Sequence, residues 1–102
     1  MVKHGKNARA IVRAALANGW TVSVNDGEEW TVKASTNYRE ITSAMFSTCE
    51  EILRFRDTSG ARIGSVYLIY CNEPYEIIAD CTDNPTMDVF LAPLQARFDA
   101  AA

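Results

Sequence analysis

Two strand starts of the same pattern, Trp20-Thr21-Val22 and Trp30-Thr31-Val32, face each other across Asn25-Asp26-Gly27. Alternating apolar and polar residues on both sides of an Asp-Gly pair specify a β-hairpin. Side-chain parity then constrains the register, because a slip of one residue sends every side chain to the other face of the sheet. A two-residue Asp-Gly turn pairs position 22 with 31 and parts the two tryptophans. A three-residue loop, with Gly27 left-handed, pairs 22 with 30 and 20 with 32. Both indoles then share one buried face, and this is the expected register.

The hairpin is flanked by helical patterns. Ala8, Ile11, Val12, Ala15 and Leu16 recur at helical spacing before an Asn18-Gly19 stop. Asn37 and Glu40 resemble a capping box ahead of a second stripe, Tyr38, Ile41, Ala44 and Met45, ending near Ser47. A second hairpin covers residues 50–71, turning at Asp57-Thr58-Ser59-Gly60. Residues 72–83 fit a strand, since Tyr75, Ile77, Ala79 and Cys81 alternate with Glu76, Ile78, Asp80 and Thr82, but Pro74 also allows a short helix. Asn84-Pro85 opens a last helix with the stripe Met87, Phe90, Leu91, Leu94 and Phe98, which Pro93 is expected to kink or break. The order αββαββ(β)α predicts an α+β fold: a single antiparallel sheet of four to five strands with three helices packed mainly on one face. One core is expected to hold Leu16, Trp20, Val22, Trp30, Phe55, Ile69 and Leu94.

A chain of 102 residues is read as one domain, 1–102, with residues 1–5 as a mobile basic arm. No apolar run approaches the roughly 20 residues of a membrane span, and the first residues lead into no signal-peptide core. Cys49, Cys71 and Cys81 lack Cys-x-x-Cys spacing. They read as three reduced, mostly buried thiols, and the expected compartment is the cytoplasm. The net charge of −3 is unevenly spread. Residues 1–20 hold four basic residues and no acid, whereas residues 71–102 hold six acids against Arg97. A basic head and an acidic tail read as a polarised, solvated surface.

Catalytic groups are sparse. His4, the one histidine, lies in the N-terminal arm, out of reach of the cysteines unless that arm folds back. Asp80, Asp83, Asp88, Glu73 and Glu76 follow no calcium-loop spacing, and Gly60-Ala61-Arg62-Ile63-Gly64 precedes no helix, so no metal, phosphate loop or cofactor is expected. Gly19-Trp20 after an amphipathic helix is similar, over about the first 30 residues, to small bacterial mRNA-cleaving toxins with a double-stranded-RNA-binding-like fold. Those toxins carry a histidine on the second strand, where this chain has Glu29-Trp30-Thr31, so the resemblance carries no function over.

One constellation remains. The 57–60 turn pairs Arg56 with Arg62, with Arg54 two residues along, and continues their face into Val66, Leu68 and Tyr70. Arginine mixed with aliphatic and aromatic side chains is the composition of interface cores. The expected binding residues are therefore Arg54, Arg56, Arg62, Val66, Leu68 and Tyr70, in a non-enzymatic protein–protein interaction domain. An adaptor, an inhibitor or a phage accessory protein fits this size, and the partner is another protein or a second copy. The disfavoured alternative is a nucleic-acid binder using Lys3, Lys6, Arg9 and Arg13 with the three sheet arginines. A small enzyme without a recognisable motif is the second alternative, raised by a deep pocket lined by two or more of Cys71, Cys81, Asp80 and Glu76.

Overall fold

Ala8, Ile11, Val12 and Ala15 form the fully buried stripe of the first helix, α1 (Gly5–Ala17). Its stop is the expected one: Gly19 is left-handed at φ 80°, and the Gly19 and Trp20 amides donate to the Leu16 and Ala15 carbonyls at 2.9 and 3.1 Å. In this computed structural model, which describes residues 5–102, the chain continues through β1 (Thr21–Asn25), β2 (Trp30–Ser35), α2 (Tyr38–Ala44), β3 (Glu50–Arg56) and β4 (Arg62–Ile69). A 3₁₀ turn (Pro74–Glu76), β5 (Ile78–Cys81) and α3 (Pro85–Ala100) complete it. Both readings of residues 72–83 hold in part, since the proline opens a short turn and a strand follows. The arm expected at residues 1–5, with His4 in it, lies outside the described residues except for Gly5, which begins α1.

The five strands form one antiparallel sheet in the order β2-β1-β3-β4-β5. One face carries Val22, Val24, Leu53, Phe55, Val66 and Leu68, all fully buried. They share a single core with Ile11 and Val12 of α1, Ile41 of α2, and Met87, Leu94 and Phe98 of α3. The helices therefore cover one side of the sheet, as the order of elements predicts.

Three local expectations are corrected. The first hairpin turns through four residues: the Asp26 amide donates to the Glu29 carbonyl at 3.1 Å, and Asp26 Oδ1 accepts from the Glu28 and Glu29 amides at 2.9 and 3.0 Å. Gly27 is left-handed as expected, at φ 106°, but Asn25 now pairs with Trp30 and Val24 with Val32. The two tryptophans consequently part. Trp20 packs on Phe55 and Phe90 at the core, with ring centroids 5.8 and 4.8 Å away, while Trp30 lies on the opposite face.

The second correction is a slip in the β3–β4 register. Arg56 pairs with Arg62 as expected, but the ladder shifts by one residue at the next step, so Phe55 pairs with Gly64 and Leu53 with Val66. Gly64 sits beside the shift. A Cβ there would lie 2.7 Å from Met87 Cγ and 2.9 Å from Met87 Sδ, so a larger residue at this inward position would require Met87 of α3 to move. Thirdly, α3 runs through Pro93 without a break. The carbonyl that loses its donor belongs to Val89, which is 77% exposed, so water can serve it.

Cys49 and Cys71 are also not the free, buried thiols expected. Both are exposed, their Cα atoms are 5.9 Å apart, and a disulfide joins them across the open end of the β3–β4 hairpin. Cys81 is free and exposed. No described helix is long and apolar enough to cross a membrane.

Candidate functional site

The register slip decides which expected site residues come together. Arg54, Arg56 and Arg62 stay on the sheet face that no described helix covers, because Arg54 pairs with Ser65 and Arg56 with Arg62. Val66, Leu68 and Tyr70 fall on the other face, with exposures of 0, 0 and 7%, and are core residues. They cannot line the arginine face. Their places are taken by residues of opposite parity: Ser65, Tyr67 and Ile69 on β4, Ile52 on β3 and Trp30 on β2. Each of these is half-buried. A bulge next to a turn has no sequence signature of its own here. The glycine at position 64, inside an otherwise branched strand, is the one signal that could have announced it.

The open face has a recognisable plan. Asn25 pairs with Trp30 and Ile52, Ile52 with Tyr67, and Tyr67 with Asp80, so one row crosses all five strands. The arginines sit beyond that row, toward the 57–60 turn. Arg54 lies over the Trp30 ring, its guanidinium carbon 4.1 Å from the centroid. Arg56 Nη1 donates to the Gly60 carbonyl at 3.0 Å. Arg62 is exposed.

Electrostatically the corner is uncompensated. Enclosure by its neighbours pushes the Arg54 pKa down, and the positive charges of Arg62 and Arg56 push it the same way. Its Nε is buried without a hydrogen-bond partner, and so is Oγ of its cross-strand neighbour Ser65. Like charges facing each other across strands cost a few tenths to about 1 kcal/mol. Fold stability alone does not account for such an arrangement.

A shallow groove of about 350 Å³ runs beside this corner between β3, β4 and β5, lined by Ile52, Ser65, Tyr67, Asp80, Cys81 and Thr82. It brings together Asp80 and Cys81, two of the residues that would raise an enzymatic reading. The thiol is poorly suited to nucleophilic work, however. Partial burial first, then the charges of Asp80, Asp88 and Asp83, hold its pKa above the usual thiol value. Among the described residues no three His, Cys, Asp or Glu side chains are placed to hold a metal ion.

One carboxylate works on the side of the sheet away from the arginines. Glu51 is completely buried on the core face, where its Oε1 accepts from the Tyr70 hydroxyl at 2.6 Å and the Phe46 amide at 2.9 Å. Phe46 is left-handed at φ 70°, so Glu51 fixes a strained turn between α2 and β3. Tyr70 is thereby a structural residue.

Comparison with known proteins adds no assignment: no family model, no curated protein and no solved structure matches the chain.

Proposed function

We propose that this chain is a non-enzymatic protein-interaction domain whose binding surface is the open face of the sheet, centred on Arg54, Arg56 and Arg62. The single observation behind this reading is the arginine corner: three like charges share a face that no described element covers. The half-buried Trp30, Ile52, Tyr67 and Ile69 beside it supply the apolar part of an interface, and guanidiniums bind carboxylates in bidentate fashion. The partner is a protein surface that sets acidic side chains over the corner and apolar ones over Ile52 and Tyr67.

A protein suits the face better than a nucleic acid. Asp80 lies on the same face opposite Tyr67, the net charge is −3, and one side of the Trp30 ring is already taken by Arg54. The cytoplasmic placement holds only while Cys49 and Cys71 are reduced; joined as they are, they suit an oxidising compartment.

Binding of a fluorescent deca-glutamate peptide, set against a single-stranded dT12 oligonucleotide, tests this reading at low and high salt. The peptide should bind weakly, lose affinity with salt, and be lost with the triple variant Arg54→Gln, Arg56→Gln, Arg62→Gln. Equal peptide binding by that variant, or tighter binding of the oligonucleotide than of the peptide, would overturn it.

A further inference from the structure

We infer that the Cys49–Cys71 bond is a reversible redox catch: a glutathione-class thiol opens it, and opening it frees the turn between α2 and β3. The catch lies at the end of the β3–β4 hairpin opposite the arginine corner, so it stands apart from the interaction reading above.

Both cysteines are exposed, and their Cα atoms, 5.9 Å apart, lie within the span that a disulfide bridges. A thiol in solvent therefore has access to the bond. Backbone pairing holds the two partners in place without it. The Tyr70 amide donates to the Cys49 carbonyl at 2.7 Å, and Glu50 pairs with Ile69. The reduced chain thus keeps its hairpin, and the two sulfurs stay close enough to join again.

What the bond fastens is a strained segment. Residues 45–49 lead from α2 into β3 through Phe46 at φ 70°, a costly conformation for a residue with a side chain. Glu51 holds this turn from below, accepting from the Phe46 amide at 2.9 Å and from the Ser47 hydroxyl at 3.4 Å. The Phe46 ring adds contacts to the Arg9 guanidinium and the Tyr70 ring, 5.0 and 4.9 Å from centre to centre. Cys49 ends the turn two residues before Glu51, and Cys71 directly follows Tyr70, the phenol that Glu51 also binds. The disulfide thus ties the strained turn to the strand end that carries its buried partner. Breaking it removes one fastening from a segment that strain already favours opening, and leaves the core beneath α1 and α3 in place.

The exchange balances with two thiols. A glutathione thiolate attacks one cysteine sulfur, the S–S bond breaks, and the other cysteine leaves as a thiolate. A second glutathione thiolate attacks the glutathione sulfur of the mixed disulfide and releases the remaining cysteine. Two electrons pass to the protein, its two thiolates take up the two protons, and glutathione disulfide is the product. The same steps in reverse, with glutathione disulfide as oxidant, close the catch.

Hydrogen exchange read by mass spectrometry tests this on the full chain carrying Cys81→Ser, so that only the pair can react. Alkylation should count no free thiol after glutathione disulfide and two after excess reduced glutathione, reversibly. On reduction, peptides covering residues 45–51 and 69–72 should exchange at least about tenfold faster, while those covering α1 and β1 keep their protection. Cys49→Ser with Cys71→Ser, in the same background, should exchange as the reduced chain does in both buffers. A bond that glutathione neither forms nor opens in the folded chain overturns the inference. So does exchange that reduction leaves unchanged, exchange that speeds up throughout the chain, or a serine pair that behaves as the oxidised chain.

Discussion

At the scale of single residues, Glu51 and Tyr70 carry the clearest energetic commitment. A fully buried carboxylate is tolerated only because a phenol and a backbone amide donate to it. Glu51→Ala would leave both donors unpaired and release the left-handed Phe46 turn, so it should cost about 3 kcal/mol or more by urea unfolding. Burial first, and then the Glu51 carboxylate, hold the Tyr70 pKa far above its ordinary value. The folded chain therefore keeps a proton that the unfolded chain gives up above about pH 10. The stability this contributes is complete below pH 10 and is lost as the pH climbs beyond it. Tyr70→Phe should be less stable than wild type by about 1–3 kcal/mol at pH 8, with the gap narrowing between pH 10 and 11.5. A gap that widened with pH would contradict the assignment.

Among the elements, periodicity was legible and register was not. The helix stripes at Ala8–Ala15 and Met87–Phe98, the caps at Asn37 and Asn84 and the left-handed glycines 19, 27 and 60 all stand where the sequence places them. Those features act within a few residues of one another. Register failed for two different reasons: in the second hairpin a distant residue, Met87 of α3, lies against Gly64, whereas in the first Asp26 lengthens its own turn by capping two nearby amides. Each slip was small, yet each flipped a face, moving Trp30 out of the core and Val66 and Leu68 into it. Hence Leu94→Ala, deep between α3 and the sheet, should cost about 2–5 kcal/mol, and Trp30→Ala less than half as much. Chemical denaturation of both variants measures this, and equal losses would return Trp30 to the core.

For the whole molecule, the division into a helix-covered face and an open one organises both stability and the candidate site. The arginine half of the expected site was readable because the turn at Asp57–Gly60 fixes the Arg56–Arg62 pair before the slip occurs. The apolar half lay beyond the slip and was assigned to the wrong face. The disulfide was unreadable for a similar reason, since Cys49 and Cys71 become neighbours only through pairing along the whole hairpin. Protein prepared without reductant should show one reactive thiol, Cys81, and three after reduction and denaturation. Three without reductant would mean that the pair is open in solution.

The register beyond the bulge at Ile63 determines what the open face presents, and single-cysteine alkylation measures it directly. In a Cys81→Ser background with the Cys49–Cys71 bond intact, a cysteine at 67 or 69 should be alkylated rapidly in the folded protein. A cysteine at 66 or 68 should react only as fast as the protein unfolds. Rapid labelling at 66 and 68, with protection at 67 and 69, would place Val66 and Leu68 beside the arginines and contradict the account.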